Sequence, residues 1–393
     1  MSDSISSIPM SAPDLGDAER QAVLDVLNSP NLSMGPYIQK FEQAFMDLTG
    51  LQHAVGVNSG TAGLHLCVRA AGITSGDLVI TTPFSFVASS NVLLFENAIP
   101  VYVDIDPKTG NIDPHLLAQA AADLVEGGKN AHQWLPRTVD GDLHELKALL
   151  PVDVFGQPAD MDPIMEVGRR FGLKTIEDSC EALGAGYKGR KAGTLGDFGV
   201  FAFYPNKQIT TGEGGVIVTD DQQAADFMRA LRNQGRVVGD TWLQHTHLGY
   251  NYRLDEMSAA LGVVQMTRLE SLMRKRDQVA AWYGERLDEI STVEKPYISS
   301  TTTRSSWFVY VIRVKPGLNR DALAGKLSQA GIPSRPYFAP IHLQPYMIDR
   351  FGYQRGDFPV TEDLGDRSLA LPFSGMMSET QVDAVCRVIQ KSL

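Results

Sequence analysis

The chain has little cysteine, no long apolar run and no excess of basic residues. Cys67, Cys180 and Cys386 are the only cysteines among 393 residues, so no disulfide framework is expected. Such sparse thiols predict a reducing, cytoplasmic setting. No stretch approaches the ~20 apolar residues of a membrane span, and the polar first residues predict no signal peptide. A net charge of −11 argues against a nucleic-acid-binding face, which needs clustered lysine and arginine.

Other functional signatures are missing or misplaced. No GxxxxGK[ST] phosphate loop occurs. The stretch GAGYKG at 184–189 fits GxGxxG, but it does not join a strand directly to a helix, as a dinucleotide site requires. His245 and His247 stand at metal-ligand spacing, but two histidines in a loop are usually solvated. The sequence therefore predicts neither a Rossmann dehydrogenase nor a metal enzyme.

Over its first two thirds, the chain alternates short apolar runs with helical patterns. Strands that alternate with helices indicate a mainly parallel sheet covered on both faces, an α/β three-layer sandwich. The predicted strands are 53–57, 78–81, 101–103, 148–155, 173–177, 199–203 and 216–219, and the predicted helices between them include 17–27, 37–49, 61–71, 87–95 and 161–170.

The last third predicts a second, smaller α/β unit. A long helix is expected from 254 to about 287, and the apolar run at 306–314 predicts a strand. We therefore expect a large domain over 1–269 and a small C-terminal domain over 270–393. The segment 123–144 has no sustained period and several turn formers, which is typical of a surface insertion.

Two charged residues follow predicted buried strands, where open α/β sheets place their ligands. Lys207 follows the strand in FAFYPNKQITTGEGG, and a lysine in an apolar setting is a nucleophile suited to Schiff-base chemistry. Asp178 ends the strand in KTIEDSCE, where a carboxylate could pair with a protonated ring nitrogen. An ordinary surface lysine and a turn or helix-cap aspartate are the alternatives.

Two further segments point to a phosphorylated, flat ligand. In VNSGTAG a strand leads into a helix at Gly60 and Thr61, and the free amide groups of a helix N-terminus bind anions. In TPFSFVAS, Phe86 follows a strand and could stack on a flat ring. A plain helix cap and a core phenylalanine are the alternatives.

Together these segments resemble the DegT/DnrJ/EryC1/StrS family of sugar aminotransferases, within the aspartate-aminotransferase-like fold. The resemblance runs from SAPDLGDAE to ALPFSGMMSETQV, and its most specific pieces are NSGTAGL, PFSFVAS, PVDVFGQPADMD, IEDSCEALGAGYKGRKAGTLGDFGVFAFYPNKQITTGEGG and GYNYRLDEMSAALG. It implies a pyridoxal 5'-phosphate enzyme that aminates a nucleotide-linked keto-sugar, with L-glutamate as donor. The product would be an amino sugar for a surface glycan or a secondary metabolite.

The resemblance also implies a role for each matching residue. Lys207 matches the Schiff-base lysine, Asp178 the partner of the pyridine nitrogen, and Glu181 a residue near the cofactor ring. Gly60 and Thr61 match the phosphate-binding turn. Phe86 matches the aromatic residue that stacks on the cofactor. Asn251 matches a residue that reaches the cofactor phosphate of a neighbouring subunit. The last match implies a homodimer with shared active sites.

The chain departs from the family pattern at two positions. Ala202 stands where many members have a phosphate-binding serine, which shifts that role to Thr61, the backbone and Asn251. Asp153 stands where many members have histidine, at a place that could bear on substrate choice. The segment SRPYFAPIHLQPYM resembles the substrate-facing stretch, and Arg335 and His342 are its candidates. A structural histidine between domains is the alternative for His342.

Of three other functions, the sequence leaves one open and argues against the other two. Amination of a cyclic ketone without a nucleotide, as in aminocyclitol formation, fits the same residues. A regulatory protein that binds the cofactor without turnover would need a partner surface that no basic patch or DNA-binding motif indicates. Related dehydratases carry histidine in place of the Schiff-base lysine, and Lys207 argues against that reaction.

Overall fold

The computed structural model describes residues 8–139, 144–237 and 239–392. The helices of these residues are α1 Asp17–Leu27, α2 Pro36–Thr49, α3 Gly60–Ala70, α4 Ala88–Phe95, α5 Pro114–Glu126, α6 Lys129–His132, α7 Met161–Phe171, α8 Gln222–Arg232, α9 Glu256–Thr267, α10 Leu269–Leu287, α11 Arg320–Gln329, α12 Pro345–Phe351, α13 Pro359–Arg367 and α14 Glu379–Ser392. The strands are β1 His53–Val57, β2 Leu78–Thr81, β3 Ile99–Tyr102, β4 Leu146–Leu150, β5 Lys174–Asp178, β6 Gly186–Tyr187, β7 Arg190–Lys191, β8 Phe198–Ala202, β9 Gly215–Thr219, β10 Val293–Glu294, β11 Thr302–Arg304, β12 Tyr310–Val314 and β13 Ser368–Leu371.

A seven-stranded sheet forms the centre of the molecule, in the order β1-β9-β8-β5-β4-β2-β3. Its pairings from β3 through β8 are parallel, and β9 runs antiparallel to both of its neighbours. The carboxyl ends of β1, β2, β4, β5 and β8 therefore meet at one edge, where ligands of open α/β sheets bind. The α/β fold with a mostly parallel central sheet is confirmed.

Burial on both faces explains why this sheet forms. Strands β2 and β3 are buried at every residue, as expected for parallel strands covered by helices. Helix α3 is buried along almost its whole length, which is typical of a helix packed between other layers. A β-carbon at Gly63 would lie 2.8 Å from Val200 of β8, so glycine allows α3 to pack close to the sheet.

A second, three-stranded antiparallel sheet lies in the C-terminal part, in the order β10-β12-β13. Residues of α10, α11 and α14 complete its core, and Ile8 from the other end of the chain packs into the same core. The division into domains at 269/270 stays a prediction. None of the described helices has both the length and the apolar character needed to cross a membrane.

Three predicted elements are shorter or divided in the structure. The run 148–155 is a strand only to Leu150, and its end forms a 3-10 turn, Val154–Gly156, in which Phe155 has a left-handed backbone conformation with φ 60°. The run 306–314 is a strand only from Tyr310, after Trp307 with φ 49°. The predicted long helix is divided between α9 and α10 at Arg268, whose side chain bonds to the segment at Asp14.

The surface insertion at 123–144 stays a prediction, and its first residues belong to a helix. Asp123 belongs to α5, which continues to Glu126, and α6 follows directly. Trp134 and Leu135 are partly buried and pack against the hydrophobic core. The Trp134 indole donates a hydrogen bond to the Asp123 carboxylate at 2.8 Å. Residues 140–143 of the segment lie outside the described residues.

Candidate active site

Lys207 lies in the connection that reverses the chain between β8 and the antiparallel β9. Only 13% of its side chain is exposed. The Nζ atom lies 3.9 Å from the centroid of the Phe308 ring and 4.0 Å from Glu181 Oε1. An aromatic face and one carboxylate oxygen therefore hold this amine at the carboxyl edge of the sheet.

Asp178 is the last residue of β5 and is buried. Its Oδ2 accepts a hydrogen bond from the Ser89 hydroxyl at 3.0 Å, and its Oδ1 accepts one from the Cys180 amide at 3.2 Å. Both of these donors are neutral. A buried carboxylate with neutral partners is most stable when a positive group also faces it, so Asp178 suits a protonated ring nitrogen.

Glu181 is the carboxylate that lies beside Lys207. Burial raises the pKa of its carboxyl group to about 7, while the nearby Lys207 ammonium limits the rise. Oε2 accepts a hydrogen bond from the Phe155 amide at 2.8 Å, an amide that the left-handed conformation of Phe155 presents. The site thus contains a carboxyl group that titrates near neutral pH beside a lysine amine.

The N-terminus of α3 lies at the same edge. The Ser59 hydroxyl accepts from the Ala62 amide at 3.0 Å, which leaves the first-turn amides of Gly60 and Thr61 as those that can meet an anion. A β-carbon at Gly60 would lie 2.7 Å from Ala202 Cβ and 2.9 Å from Cys180 Sγ. Glycine is therefore required where the helix start approaches the ends of β5 and β8.

The chain matches the family model of the DegT/DnrJ/EryC1/StrS aminotransferase family over residues 13–390. The chain belongs to this family. It is 37% identical over 390 residues to the GDP-perosamine synthase of Caulobacter vibrioides, covering 98% of each chain. It is 35% identical over 396 residues to the spore coat polysaccharide biosynthesis protein SpsC of Bacillus subtilis, covering 98% of this chain and 96% of SpsC.

Solved structures agree with this assignment. Helicobacter pylori PseC, an aminotransferase involved in the biosynthesis of pseudoaminic acid, superimposes with a TM-score of 0.87 at 27% identity, covering 98% of this chain and 99% of PseC. The family is pyridoxal phosphate-dependent. The family, the aminotransferase activity and the cofactor that the sequence predicted are therefore confirmed.

The residues of the site fit this cofactor. The close approach of Gly60 to Ala202 leaves no room for a larger residue at the helix start. A β-carbon at Gly215, in the GEGG stretch, would lie 2.7 Å from the Ser59 carbonyl oxygen. The backbone therefore approaches closely around the start of α3, which suits a phosphate group, and Asp178 ends β5 and Lys207 follows β8 at the same edge of the sheet.

Phe86, Asn251 and Arg335 are exposed. The Phe86 side chain, at 64% exposure, is free to contact a ring. The Asn251 carbonyl accepts from the Asn58 side chain at 3.3 Å, next to the β1–α3 turn. The Arg335 backbone pairs with Ala370 of β13. The assignments of these residues stay predictions.

His342 and Asp153 lie inside the molecule. The His342 ring has no exposed surface, and its Nε2 lies 3.0 Å from Glu362 Oε1. A histidine enclosed in this way cannot meet a substrate, so we leave His342 out of the proposed site. Asp153 is also fully buried, and its carboxylate accepts from the Ser179 hydroxyl at 2.5 Å and the Ala159 amide at 2.9 Å. Asp153 therefore supports the 178–181 segment through its bond to Ser179, and its buried carboxylate is not exposed to a sugar.

The sequence reasoning missed several residues of the site. Ser89 supports Asp178, Phe155 supports Glu181, and Phe308 lies against Lys207. Ser89 stands in the motif PFSFVAS, so its position after a strand was a usable signal. Phe308 and Phe155 gave none, because their roles depend on backbone turns that distant parts of the chain determine. Among the described residues, no cluster of three His, Cys, Asp or Glu side chains could hold a metal ion.

Proposed function

We propose that the protein transfers an amino group from L-glutamate to the keto group of a nucleotide-linked sugar. The observation that carries this proposal is that Lys207 Nζ lies 4.0 Å from Glu181 Oε1, while Asp178 ends β5, the strand that pairs with β8. Relatives named for GDP-perosamine synthesis and for spore coat polysaccharide support a sugar nucleotide as acceptor. A cyclic ketone without a nucleotide, or a regulator without turnover, has no comparable support.

In this proposal each residue holds one part of pyridoxal phosphate. Lys207 would hold the aldehyde carbon covalently, and Asp178 would face the ring nitrogen. The amides of Gly60 and Thr61, with the Thr61 hydroxyl, hold the phosphate at the positive end of α3. The exposed Phe86 ring covers one face of the cofactor ring.

The chemistry then divides between the cofactor and the protein. The cofactor supplies an electron sink for the electrons released at the donor's α-carbon. Asp178 keeps the ring nitrogen protonated, because a carboxylate stabilises the positive charge there. The free Lys207 amine would take the α-proton of the donor and deliver it to carbon C4′, as general base and then general acid. With the keto-sugar present, the same amine moves a proton in the opposite direction.

Glu181 completes the proton handling around Lys207. Its carboxyl group, with a pKa of about 7, lies 4.0 Å from Nζ and can be neutral or charged at physiological pH. The negative form balances a protonated Lys207, and the neutral form removes that charge when the amine is unprotonated. We therefore propose that Glu181 lies beside the cofactor ring and balances the charge of Lys207.

Replacing Glu181 with glutamine is expected to stabilise the cofactor-free protein above neutral pH. Because the folded pKa lies above the ordinary value of 4.5, the folded state binds more protons than the unfolded one between these values. Wild-type stability therefore falls as pH rises through this window. Glu181→Gln removes that loss and should gain about 2–3 kcal/mol near pH 8 and little near pH 5. Urea unfolding at both pH values measures the gain.

Glu270→Gln is the matched control, since Arg304 lowers the pKa of Glu270 and its removal offers no such gain. Equal pH dependence of wild-type and Glu181→Gln proteins would contradict the role of Glu181 as a near-neutral group.

We further propose that the enzyme is a homodimer whose active sites take residues from both subunits. The loop before Asn251 carries three large exposed apolar side chains, with Trp242 at 81%, Leu243 at 71% and Leu248 at 82% exposure. Large apolar side chains grouped on one loop are typical of a protein contact surface. A second copy of the chain is the occupant that the proposed role of Asn251 requires.

Asn251→Ala is expected to weaken retention of the cofactor, because it removes a donor to the phosphate across the subunit contact. Gel filtration followed by absorbance of the bound cofactor measures retention, with Gln244→Ala in the same loop as control. Mixing inactive Lys207→Ala subunits with Asn251→Ala subunits should restore one complete site in each mixed dimer. Unchanged retention in Asn251→Ala would count against the shared site, and so would a mixture without recovery.

We also propose that the reaction takes place in the cytoplasm. All three cysteines are free thiols, two of them buried, and burial raises the pKa of each thiol. Thiols of this kind need no oxidising compartment.

The substrate class is tested by product analysis. The enzyme is incubated with ¹⁵N-labelled L-glutamate and a panel of nucleotide-linked keto-sugars, and mass spectrometry follows the label. Appearance of a ¹⁵N-amino sugar nucleotide is the expected result. Transfer of the label only to cyclic ketones without a nucleotide would overturn the proposed substrate and leave the aminotransferase activity in place.

A further inference from the structure

Arg276, on α10, is a buried guanidinium whose hydrogen bonds, among the described residues, all go to backbone carbonyl groups. It is 4% exposed. Its Nη2 donates to the carbonyls of Asn206 at 3.2 Å and Lys207 at 2.6 Å, and its Nη1 to those of Trp307 at 3.0 Å and Phe308 at 3.3 Å. Burial, with no neighbouring carboxylate to offset it, lowers its pKa to about 10.

A buried cation without a counter-ion costs free energy, so its presence needs a reason. Arg232, the other arginine that is buried among the described residues, pairs with the Glu42 carboxylate. Arg276 has instead two pairs of carbonyl oxygens from segments about a hundred residues apart. The fixed fork of a guanidinium can bond both segments at once, whereas the single ammonium of lysine cannot match that geometry.

The two segments that Arg276 joins are those that meet at Lys207. One segment contains Lys207 itself, and the other contains Phe308, whose ring contacts Nζ at 3.9 Å. Trp307 adopts a left-handed backbone conformation with φ 49°, which is strained for a bulky residue. The bond from Arg276 to the Trp307 carbonyl helps to maintain this conformation and so keeps the Phe308 ring against the lysine.

We propose that Arg276 is a positioning residue that fixes the Lys207 backbone and the Phe308 ring together, and thereby aims the Lys207 amine at the cofactor aldehyde. The inference rests on the proposed role of Lys207. It assigns Arg276 no contact with cofactor or substrate, since all its described hydrogen bonds go to the four carbonyls. Its effect should therefore fall on the attack by the amine and spare the binding of the phosphate and ring.

The test compares covalent attachment with simple binding. Stopped-flow absorbance measures the rate at which pyridoxal phosphate becomes attached to cofactor-free protein, and borohydride reduction with peptide mapping confirms Lys207 as the site. Titration with pyridoxamine phosphate, which has no aldehyde, measures binding without attachment. Arg276→Gln is expected to slow attachment about tenfold to a hundredfold and to leave the affinity for pyridoxamine phosphate within about twofold. Arg276→Lys should slow attachment by a smaller factor.

Arg286→Gln is the matched control, because Arg286 lies on the same helix and pairs with Asp383 and Glu379 away from Lys207. Unchanged attachment in Arg276→Gln would overturn the inference. A parallel loss of attachment and of pyridoxamine phosphate binding would also overturn it, by showing a general structural role. Should Arg276→Gln fail to fold, Arg276→Lys supports the same comparison. Failure of the wild-type protein to attach cofactor at Lys207 would instead sink the proposed function.

Discussion

Lys207→Ala is expected to abolish amino-group transfer. The variant loses both the covalent link to the cofactor and the base that moves the proton at the α-carbon, so the rate should fall by about ten-thousand-fold or more. Steady-state assays with L-glutamate and the accepted keto-sugar nucleotide measure the loss. The absorption band of lysine-bound cofactor should be absent from the same preparation.

Two companion variants make the Lys207 result specific. Lys207→Arg keeps a positive charge beside Glu181 but cannot form the covalent link, so it should be as inactive as Lys207→Ala. Lys188 forms a surface ion pair with Asp162, and Lys188→Ala should keep full activity. Sustained turnover in Lys207→Ala would remove the central assignment, because no second lysine among the described site residues lies beside Glu181.

Asp178→Asn is expected to lower kcat by about a hundredfold to a thousandfold while the cofactor still attaches to Lys207. Asparagine keeps the shape and can still meet the Ser89 hydroxyl and the Cys180 amide, but it carries no negative charge to stabilise a protonated ring nitrogen. Measurement of kcat together with the visible absorption band separates the loss of catalysis from a loss of binding.

The matched control for Asp178 is Asp162→Asn, which affects only exposed ion pairs with Lys188 and Arg190. Asp178→Asn activity within a few-fold of wild type would show that the ring nitrogen does not depend on this carboxylate. Loss of the visible band in Asp178→Asn would mean that the residue supports the fold of the site rather than the charge of the ring.

The central sheet could be predicted because each strand has a local signal. Short, mostly apolar runs such as 53–57 and 78–81 match β1 and β2 at both ends. The errors arose where tertiary contacts decide the backbone. The local sequence does not show that Phe155 has a left-handed backbone conformation and bonds to Glu181. It also does not show that α9 ends at Arg268, whose side chain bonds to Asp14 and Glu19.

The candidate site was predictable where a residue follows a strand inside a motif. Lys207, Asp178 and Glu181 come from three motif positions, and the fold places Lys207 beside Glu181, which follows the strand that Asp178 ends. Arg276 and Phe308 gave no such signal, because their partners are backbone carbonyls or a side chain distant in sequence. For His342 the sequence left a substrate role and a structural role open, and its burial against Phe358 and Glu362 favours the structural role.

The most direct measurement is an absorption spectrum of the purified protein before and after addition of L-glutamate. The account predicts a visible band of lysine-bound cofactor that gives way to the near-ultraviolet band of the amine form, which would establish cofactor, donor and the first half of the reaction together. Absence of a visible band even with added pyridoxal phosphate would contradict the role of Lys207. A band that no amino acid discharges would contradict the transfer itself.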